Sequence, residues 1–514
     1  MRSSILFPML MMAACTTPEA YGPPALSRDV ANAGPAELET RAAIDRIKAY
    51  NPTIGAVIAL NPDAIAQAKA VDESGQRGPL AGVPILIKDN IETADNMPTT
   101  AGSLALKHNV TGRDSPLVSG LRDAGAIIVG KANLSEWANI RSSNSISGWS
   151  AVGGQVRNPW ALDRNPCGSS SGSGAAVAAG MVDHAVGTET NGSVACPAAI
   201  NGIVGFKPSV GLISRRHIVP ISISQDTAGP MTRTVRQAAD MLTAMAGTDR
   251  QDAATAEADA RKVDYAAGLD GATLAGKRFG VMRFASGFGT DERLEEAIAL
   301  IKAQGGEVVD IAELDRGPIF QTQLGVLLTE LKVEMNAYLG TLPGEAPRSL
   351  AELIMFNEAN SEEEMPLFGQ ELFEQAEATD GYDDEYRANR QRGFEAAGPN
   401  GIDRLLAEHD LDALIGPTMP AAWPIDPVHG DQISGGGGGG LAAVAGYPHL
   451  TVPMGFVRGL PVGLSFIGGK WDDAKILALG HAYEQARGPL PRARFLRSVN
   501  ESDDVAEAFA PADL

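Results

Sequence analysis

Two segments built almost entirely of small residues lie close together in the first half of the chain. Residues 165–180 read Asn-Pro-Cys-Gly-Ser-Ser-Ser-Gly-Ser-Gly-Ala-Ala-Val-Ala-Ala-Gly, and residues 187–199 read Gly-Thr-Glu-Thr-Asn-Gly-Ser-Val-Ala-Cys-Pro-Ala-Ala. Glycine permits turns and close backbone approaches that other residues do not. We therefore predict that a small-residue helix over residues 173–181 packs closely on a sheet, and that both segments present serine hydroxyls on tightly turned backbone.

Lys88 lies upstream, directly after the apolar run of residues 83–87, which predicts a short buried strand. A lysine has an ordinary pKa of about 10.4, so its pKa must fall by about 3 before much of it is neutral at pH 7. Burial can supply that decrease. Asp89 should point away from Lys88, because adjacent strand residues face opposite sides of a sheet. Serines and a neutral lysine together can carry acyl transfer without a histidine.

The order of predicted elements indicates an α/β fold. Residues 276–282, 291–304 and 307–311 read as strand, helix and strand, and a helix over residues 36–50 should end at Asn51-Pro52. Strands that alternate with helices form a parallel or mixed sheet with helices packed on it. We therefore predict one large mixed β-sheet that helices cover on both faces.

Two local motifs imitate other kinds of site. Residues 168–172 match the G-x-S-x-G elbow of α/β-hydrolases, but that elbow follows a strand, and residues 163–166 read as a turn. Residues 125–131 match most of a phosphate-binding loop, but Ala132 replaces the hydroxyl residue that would hold magnesium. No His, Cys or carboxylate cluster has metal-ligand spacing, so we expect no metal and no cofactor.

Several further motifs follow in order along the chain. They are Gly130-Lys131-Ala132-Asn133, Gly229-Pro230-Met231, Ala445-Gly446-Tyr447-Pro448 and Gly459-Leu460-Pro461-Val462-Gly463. With the two small-residue segments and Lys88, these residues resemble the amidase signature family of serine hydrolases over nearly the whole chain. Residues 133–139, 145–150 and 222–226 are most similar to the bacterial peptide amidases, which release ammonia from C-terminal peptide amides. The resemblance implies carboxamide hydrolysis and the family fold, one large mixed sheet wrapped by helices.

The resemblance also implies a role for each residue of the site. Ser193 matches the nucleophile of the family, and the backbone N–H groups of Thr190, Asn191 and Gly192 would form its oxyanion hole. Ser169 matches the bridging serine, which a non-proline cis peptide bond precedes in the family. Lys88 matches the terminal base.

One position departs from the family pattern. Many members carry an arginine two residues after the nucleophile, where this chain has Ala195. The three catalytic positions are unaffected, but the contacts of that arginine are lost. Substrate specificity therefore should not be transferred from the broad family.

Three other functions compete with peptide amide hydrolysis. The chain could be a general aliphatic or aryl amidase, an amidotransferase subunit that works with partner proteins on a tRNA-bound substrate, or a non-catalytic envelope protein that only binds. The formal net charge of −21 disfavours a nucleic-acid partner, because such surfaces are rich in lysine and arginine. The expected partner is a small-molecule or peptide amide.

The ends of the chain differ in composition from its body. Residues 1–15 have the charge and short apolar run of an export signal. Their end, Ala-Ala-Cys, resembles the lipobox of bacterial lipoproteins, which implies lipidation at Cys15; a simple exported protein is the alternative. Residues 16–35 are rich in Pro, Ala and Gly and predict a flexible tether. We therefore expect an exported protein of the bacterial envelope or periplasm, with the membrane reached only through the lipid. Residues 501–514 predict a poorly ordered acidic tail.

Residues 36–500 form the predicted catalytic domain. Residues 248–398 are more acidic and more helical than their surroundings and predict a peripheral subdomain. The six glycines of residues 435–440 predict a mobile loop.

Cys167 and Cys196 each belong to one of the two serine segments, so the fold should bring them together. An exported protein can join them as a disulfide, and two small buried thiols are the alternative.

Overall fold

The computed structural model of the protein describes residues 33–435 and 437–509. The predicted signal, Cys15 and most of the predicted tether lie outside these ranges. Within them, no helix is both long enough and apolar enough to span a bilayer.

Eleven strands of the described chain form one sheet in the order β1-β3-β2-β6-β8-β7-β12-β13-β11-β9-β10, and two short strands, β4 and β5, pair separately. The strands are β1 (Val57–Leu60), β2 (Pro84–Lys88), β3 (Ile127–Ala132), β4 (Trp149–Ser150), β5 (Gly154–Gln155), β6 (His184–Glu189), β7 (Val204–Lys207), β8 (Thr227–Thr232), β9 (Arg278–Met282), β10 (Glu307–Ile311), β11 (Ala413–Pro417), β12 (His449–Val457) and β13 (Leu460–Ile467). Strands β3, β2 and β6 are parallel to one another, as are β11, β9 and β10, whereas the strands between the two groups pair antiparallel. The sheet is therefore mixed, as predicted.

Helices cover both faces of this sheet. They are α1 (Pro35–Ile54), α2 (Ala64–Ser74), α3 (Pro116–Asp123), α4 (Ser171–Ala178), α5 (Ala195–Asn201), α6 (Val235–Met245), α7 (Ala258–Arg261), α8 (Asp291–Ala303), α9 (Gly317–Leu339), α10 (Leu350–Ala359), α11 (Ser361–Glu364), α12 (Glu371–Glu377), α13 (Asp384–Ala397), α14 (Arg404–Glu408), α15 (Gly439–Ala445) and α16 (Asp473–Arg487). Residues of α3, α6, α8 and α16 build the core on one face, and residues of α1, α2 and α4 build it on the other.

The position of strand β2 within the sheet explains why its sequence is continuously apolar. Ile85 and Ile87 belong to the core on one face, whereas Leu86 between them belongs to the core on the other. Since both faces of the strand are buried, alternation of polar and apolar residues is absent. The next residue along the strand is Lys88, which is fully buried as well. The predicted fold, one large mixed sheet covered on both faces, is confirmed.

One helix boundary differs from the prediction. Helix α1 continues past Pro52 to Ile54 and ends at Gly55, whose φ of 70° is left-handed and whose N–H donates to the Asn51 carbonyl. The fully buried Ile54 side chain offsets the cost of a proline in the last turn. Within residues 248–398, β9 and β10 lie where strands are predicted, and they form one edge of the main sheet.

Regular structure begins within the glycine run, and the acidic tail contains a short helical turn. Gly439 and Gly440 form the first turn of α15, because the following residues, Leu441 and Ala442, are buried and pack the helix in place. In the tail, Ser502 is buried and its hydroxyl donates to the Arg458 carbonyl at 3.2 Å. Residues 510–514 lie outside the described ranges, and the poor order of the tail stays a prediction.

Candidate active site

Lys88 lies at the C-terminal end of β2 with no exposed surface. Its Nζ contacts Ser169 Oγ at 2.7 Å and Thr188 Oγ1 at 2.8 Å. Burial lowers the pKa of Lys88 to about 7, against the opposing effect of the negative charges of Asp226 and Glu189. A buried lysine that contacts two neutral hydroxyls can therefore exchange a proton near neutral pH.

Ser169 lies between a tight backbone approach and a helix. The peptide bond that joins Gly168 to Ser169 is cis, and helix α4 begins two residues later. A Cβ atom at position 168 would lie 2.0 Å from Ser135 Oγ, so only glycine fits there. The Ser169 carbonyl accepts from the Ser135 N–H at 3.0 Å, and its side chain is fully buried against Lys88.

Ser193 lies in the turn between β6 and α5. Gly192 before it has a φ of 83°, which favours glycine. The Ser193 carbonyl accepts from the Ser170 N–H at 3.1 Å, so the two serine segments are joined directly through their main chains. The Glu189 carboxylate accepts from the N–H groups of Val194 and Ala195 at 2.8 and 2.9 Å, which fixes the turn from below.

A cavity of about 420 Å³ lies over this turn. Its described lining includes all four residues predicted on the nucleophile side, Thr190, Asn191, Gly192 and Ser193. Neither Lys88 nor Ser169 lines the cavity, since both are buried beneath it. Ser193 therefore faces a space where a substrate could bind, while the groups that would take its proton are shielded from water.

Asp431 is the only residue of acidic or basic type, other than a histidine, among the described residues that line this cavity. Its carboxylate accepts from Ser147 Oγ at 2.6 Å, from Trp423 Nε1 at 3.0 Å and from Asn165 Nδ2 at 3.0 Å. Burial raises its pKa, but these donors favour the charged form. The histidine, His449, is fully buried with its pKa lowered by burial to about 4, so it is neutral at pH 7. The cavity therefore disfavours anionic groups.

A disulfide joins Cys167 to Cys196, with their Cα atoms 6.1 Å apart. Both residues line the cavity that Ser193 faces. The prediction that the fold brings them together is confirmed, and of the two alternatives the structure has the disulfide. Main-chain hydrogen bonding and a covalent bond thus hold the same two serine segments together.

The structure brings the predicted residues together, but their catalytic roles stay predictions. It also confirms that Asp89 turns away from Lys88: its carboxylate accepts from the Thr100 N–H and lies 3.8 Å from Lys131 Nζ. Sequence reasoning gave no role to Glu189, Asp226 or Asp431, although Glu189 belongs to the second small-residue segment and Asp226 ends the motif of residues 222–226. Within residues 33–435 and 437–509, no group of three or more His, Cys, Asp or Glu side chains could hold a metal.

The profile of the amidase family matches residues 39–477. The chain belongs to the amidase signature family. It is similar to the native peptide amidase of Stenotrophomonas maltophilia, with 48% identity and a TM-score of 0.84 over 90% of this chain and 95% of that one. The peptide amidase in complex with the competitive inhibitor chymostatin aligns with 48% identity and a TM-score of 0.86 over 90% of this chain and 96% of that one. A probable amidase of Arabidopsis thaliana is 40% identical over 458 residues, 86% of this chain and 85% of that protein.

Amidotransferases match as well. A glutamyl-tRNA(Gln) amidotransferase subunit of Halorhodospira halophila is 34% identical over 481 residues, 87% of this chain and 93% of that protein. The family profile and the similar amidases identify the chain as an amidase, a hydrolase that acts on C–N bonds.

Proposed function

We propose that this amidase hydrolyses C-terminal peptide amides to peptide acids and ammonia through an acyl-enzyme on Ser193. The observation that carries the proposal is the 2.7 Å contact between Lys88 Nζ and Ser169 Oγ, buried beneath the cavity that Ser193 lines. Similarity to a peptide amidase at 48% identity supports the choice of substrate class.

The proposed reaction begins with neutral Lys88. With a pKa of about 7, about half of Lys88 is neutral at pH 7 and its lone pair can accept a proton. Lys88 takes the proton of Ser169, Ser169 takes the proton of Ser193, and Ser193 Oγ bonds to the amide carbon. Ser169 then gives one proton to the leaving nitrogen and regains its own proton from Lys88 as the C–N bond breaks, and ammonia departs. Water then attacks the ester along the same route, which releases the carboxylate and restores all three side chains.

Negative charge develops on the carbonyl oxygen when Ser193 attacks. The backbone N–H groups of Thr190, Asn191 and Gly192 are the proposed donors to that oxygen, since these residues line the cavity directly before the nucleophile. Successive N–H groups around a left-handed glycine can converge on one point. Glu189 keeps this turn fixed through its two backbone contacts.

The cavity is suited to a substrate whose acyl chain is short and is neutral or positively charged. Its volume of about 420 Å³ is in the range of small-molecule sites. The product carries a carboxylate where the substrate carries a neutral amide, and the negative charge of Asp431 favours release of that product. The alternatives are a general aliphatic or aryl amidase and an amidotransferase subunit.

Ammonia release from matched substrates tests the proposal. A dipeptide amide, the matching tripeptide, a short aliphatic amide, an anilide and glutamine would be compared at pH 8, with Ser193→Ala as the blank. We expect the dipeptide amide to have the highest kcat/KM and the internal peptide bonds to stay intact. Cleavage of the tripeptide, or a strong preference for the aliphatic amide or glutamine, would overturn the substrate assignment while the amidase chemistry stands.

Export and anchoring through Cys15 are part of the same proposal. The support is the residue pattern of residues 1–15 and the Pro-rich stretch after it. Mass spectrometry of the native protein should find a lipid-modified Cys15 as its first residue. An intact Met1 on a cytosolic protein would contradict this localisation.

A further inference from the structure

Asp226 lies directly before β8, beside the turn that carries Ser193. Residue Thr227 of β8 pairs with Glu189 of β6, so Asp226 faces the residue that follows Glu189, which is Thr190. Thr190 Oγ1 donates to the Asp226 carboxylate at 2.5 Å. The N–H groups of Ile221 and Ser222 donate to its other oxygen at 2.8 and 2.9 Å. These hydrogen bonds fix one carboxylate next to the proposed oxyanion hole.

Thr190 is held from two sides by this short segment. Its hydroxyl donates to Asp226, and its carbonyl accepts from Gln225 Nε2 at 3.1 Å. Thr190 and Ile221 both line the substrate cavity, so Asp226 acts on the wall of that cavity without lining it. Asp226 therefore helps to fix the position of the Thr190 backbone, which lies close to the nucleophile in the chain.

A second, small cavity lies between Asp226 and the partners of Lys88. It measures about 30 Å³, and Asn90, Thr188, Thr190 and Asp226 are among its lining. A space of this size, with polar groups on part of its wall, has room for one water molecule. Thr188 Oγ1 contacts Lys88 Nζ at 2.8 Å and Asn90 Nδ2 at 3.0 Å, and Asn90 Oδ1 is buried with no hydrogen-bond partner in the described chain. The side chains of Thr188 and Asn90 therefore connect Lys88 to the small cavity that Asp226 lines.

Among the carboxylates near Lys88, Asp226 is the one placed to balance the positive charge of protonated Lys88. Glu189 also attracts the charge of Lys88, but one of its oxygens holds two backbone N–H groups of the Ser193 turn, and Glu189 does not line the small cavity. Asp89 faces Thr100 and Lys131 on the other side of β2. Arg215 lines the small cavity, and its guanidinium is paired with Asp252.

We propose that Asp226 is a positioning residue of the reaction, which holds Thr190 beside the oxyanion and provides the counter-charge when Lys88 takes up the proton of Ser193. The proposal rests on the proposed function, because it needs Lys88 as the base. Without the Asp226 charge, protonated Lys88 is less stable in its buried position, so Lys88 is a weaker base. Burial lowers the pKa of Lys88 to about 7. The negative charge of Asp226, and to a smaller extent that of Glu189, keeps this pKa from falling further.

The experiment measures the pH dependence of kcat/KM and kcat on a peptide amide for wild type, Asp226→Asn and Asp473→Asn. Asp473 is the matched control: it is buried and accepts from the N–H and hydroxyl of Ser209, but it has no part in the site. We expect Asp226→Asn to move the acidic limb of kcat/KM down by about one pH unit. Its plateau kcat should fall about tenfold or more with little change in KM, while Asp473→Asn keeps the wild-type limb.

An acidic limb that stays at its wild-type pH in folded Asp226→Asn overturns the proposal, because a merely structural role lowers activity without moving the limb. If Asp226→Asn does not fold, Asn90→Asp decides, since it places a carboxylate in the same small cavity. We expect that variant to raise the limb by about one pH unit, and an unchanged limb overturns the proposal. A wild-type profile with no acidic limb near pH 7 would instead contradict the role of Lys88 and with it the proposed function.

Discussion

Two neighbouring strands of the sheet each carry a buried lysine, and their surroundings differ. Lys88 of β2 contacts two hydroxyl groups, and no carboxylate touches it. Lys131 of β3 contacts the Ile91 carbonyl at 2.6 Å and Thr99 Oγ1 at 2.7 Å, with the Asp89 carboxylate 3.8 Å away. Burial lowers the pKa of both lysines.

The difference teaches that burial alone does not make a lysine a base. Each lysine contacts a hydroxyl and a backbone carbonyl, so these contacts do not separate them. Only Lys131 has a carboxylate within 4 Å, and the negative charge of Asp89 favours its protonated form. Asp89, whose pKa burial raises to about 6, is ionised at pH 8 and completes a pair with Lys131. One lysine is therefore expected to act in the reaction and the other in the stability of the fold.

The largest expected effect is the loss of activity on substitution of Lys88. Lys88→Ala should lower kcat/KM on a peptide amide by roughly 10⁴-fold, because it removes the proposed general base. Lys131→Met, in folded enzyme at pH 8, should stay within roughly tenfold of wild type. Near-normal turnover by Lys88→Ala with native circular dichroism would contradict the assignment.

The stability of methionine variants at the two lysines should rank in the opposite order. Lys131→Met leaves Asp89 buried without its partner and should lower the free energy of unfolding by about 3–5 kcal/mol. Lys88→Met leaves no contacting carboxylate unpaired and should cost less. Urea unfolding at pH 8 measures both, and Asp89→Asn combined with Lys131→Met should recover part of the loss. An equal loss in the free energy of unfolding for Lys131→Met and Lys88→Met would contradict the proposed difference between the two lysines.

The disulfide is part of the candidate active site that contains Lys88. It closes a loop over a sequence separation of 29 residues and joins the segments of Ser169 and Ser193. Replacing Cys167 and Cys196 with alanine should lower the free energy of unfolding by about 3–4 kcal/mol. A reductant should destabilise wild type in urea and leave the double variant unchanged. Identical midpoints with and without reductant, after thiol titration shows full reduction, would count against this value.

The smallest expected effect concerns pH. Because Lys88 must be neutral to act and burial places its pKa at about 7, kcat/KM should be level above about pH 8 and fall about tenfold per pH unit well below 7. Protonation of Lys131 has no part in this profile. Stopped assays from pH 5 to 9 measure it, and a level profile down to pH 5 would contradict the role of Lys88.

The sequence predicted the fold and the central residues because their signals are local. Ile85 to Lys88 read as a strand end buried on both sides, and Gly168 and Gly192 mark the backbone positions where only glycine suits the turn. The roles of Ser193, Ser169 and Lys88 came from resemblance to a family. Asp226 and Asp431 could not be predicted, because their effects depend on strand pairing and loop packing between segments far apart in the chain. The pairing of Thr227 with Glu189 alone places Asp226 beside Thr190.

The open sheet ends in two edge strands, β1 and β10, and each is protected from pairing with another molecule. On β1, the Asn51 side chain accepts from the Val57 N–H and donates to the Val57 carbonyl, both at 2.8 Å, in place of a strand partner. On β10, the exposed Glu307 and Asp310 are charged and pair with Arg278 and Arg283, and charged side chains on an edge strand hinder strand addition. Exposed edges invite intermolecular strand addition, so these few residues help keep a concentrated solution of the amidase free of aggregates.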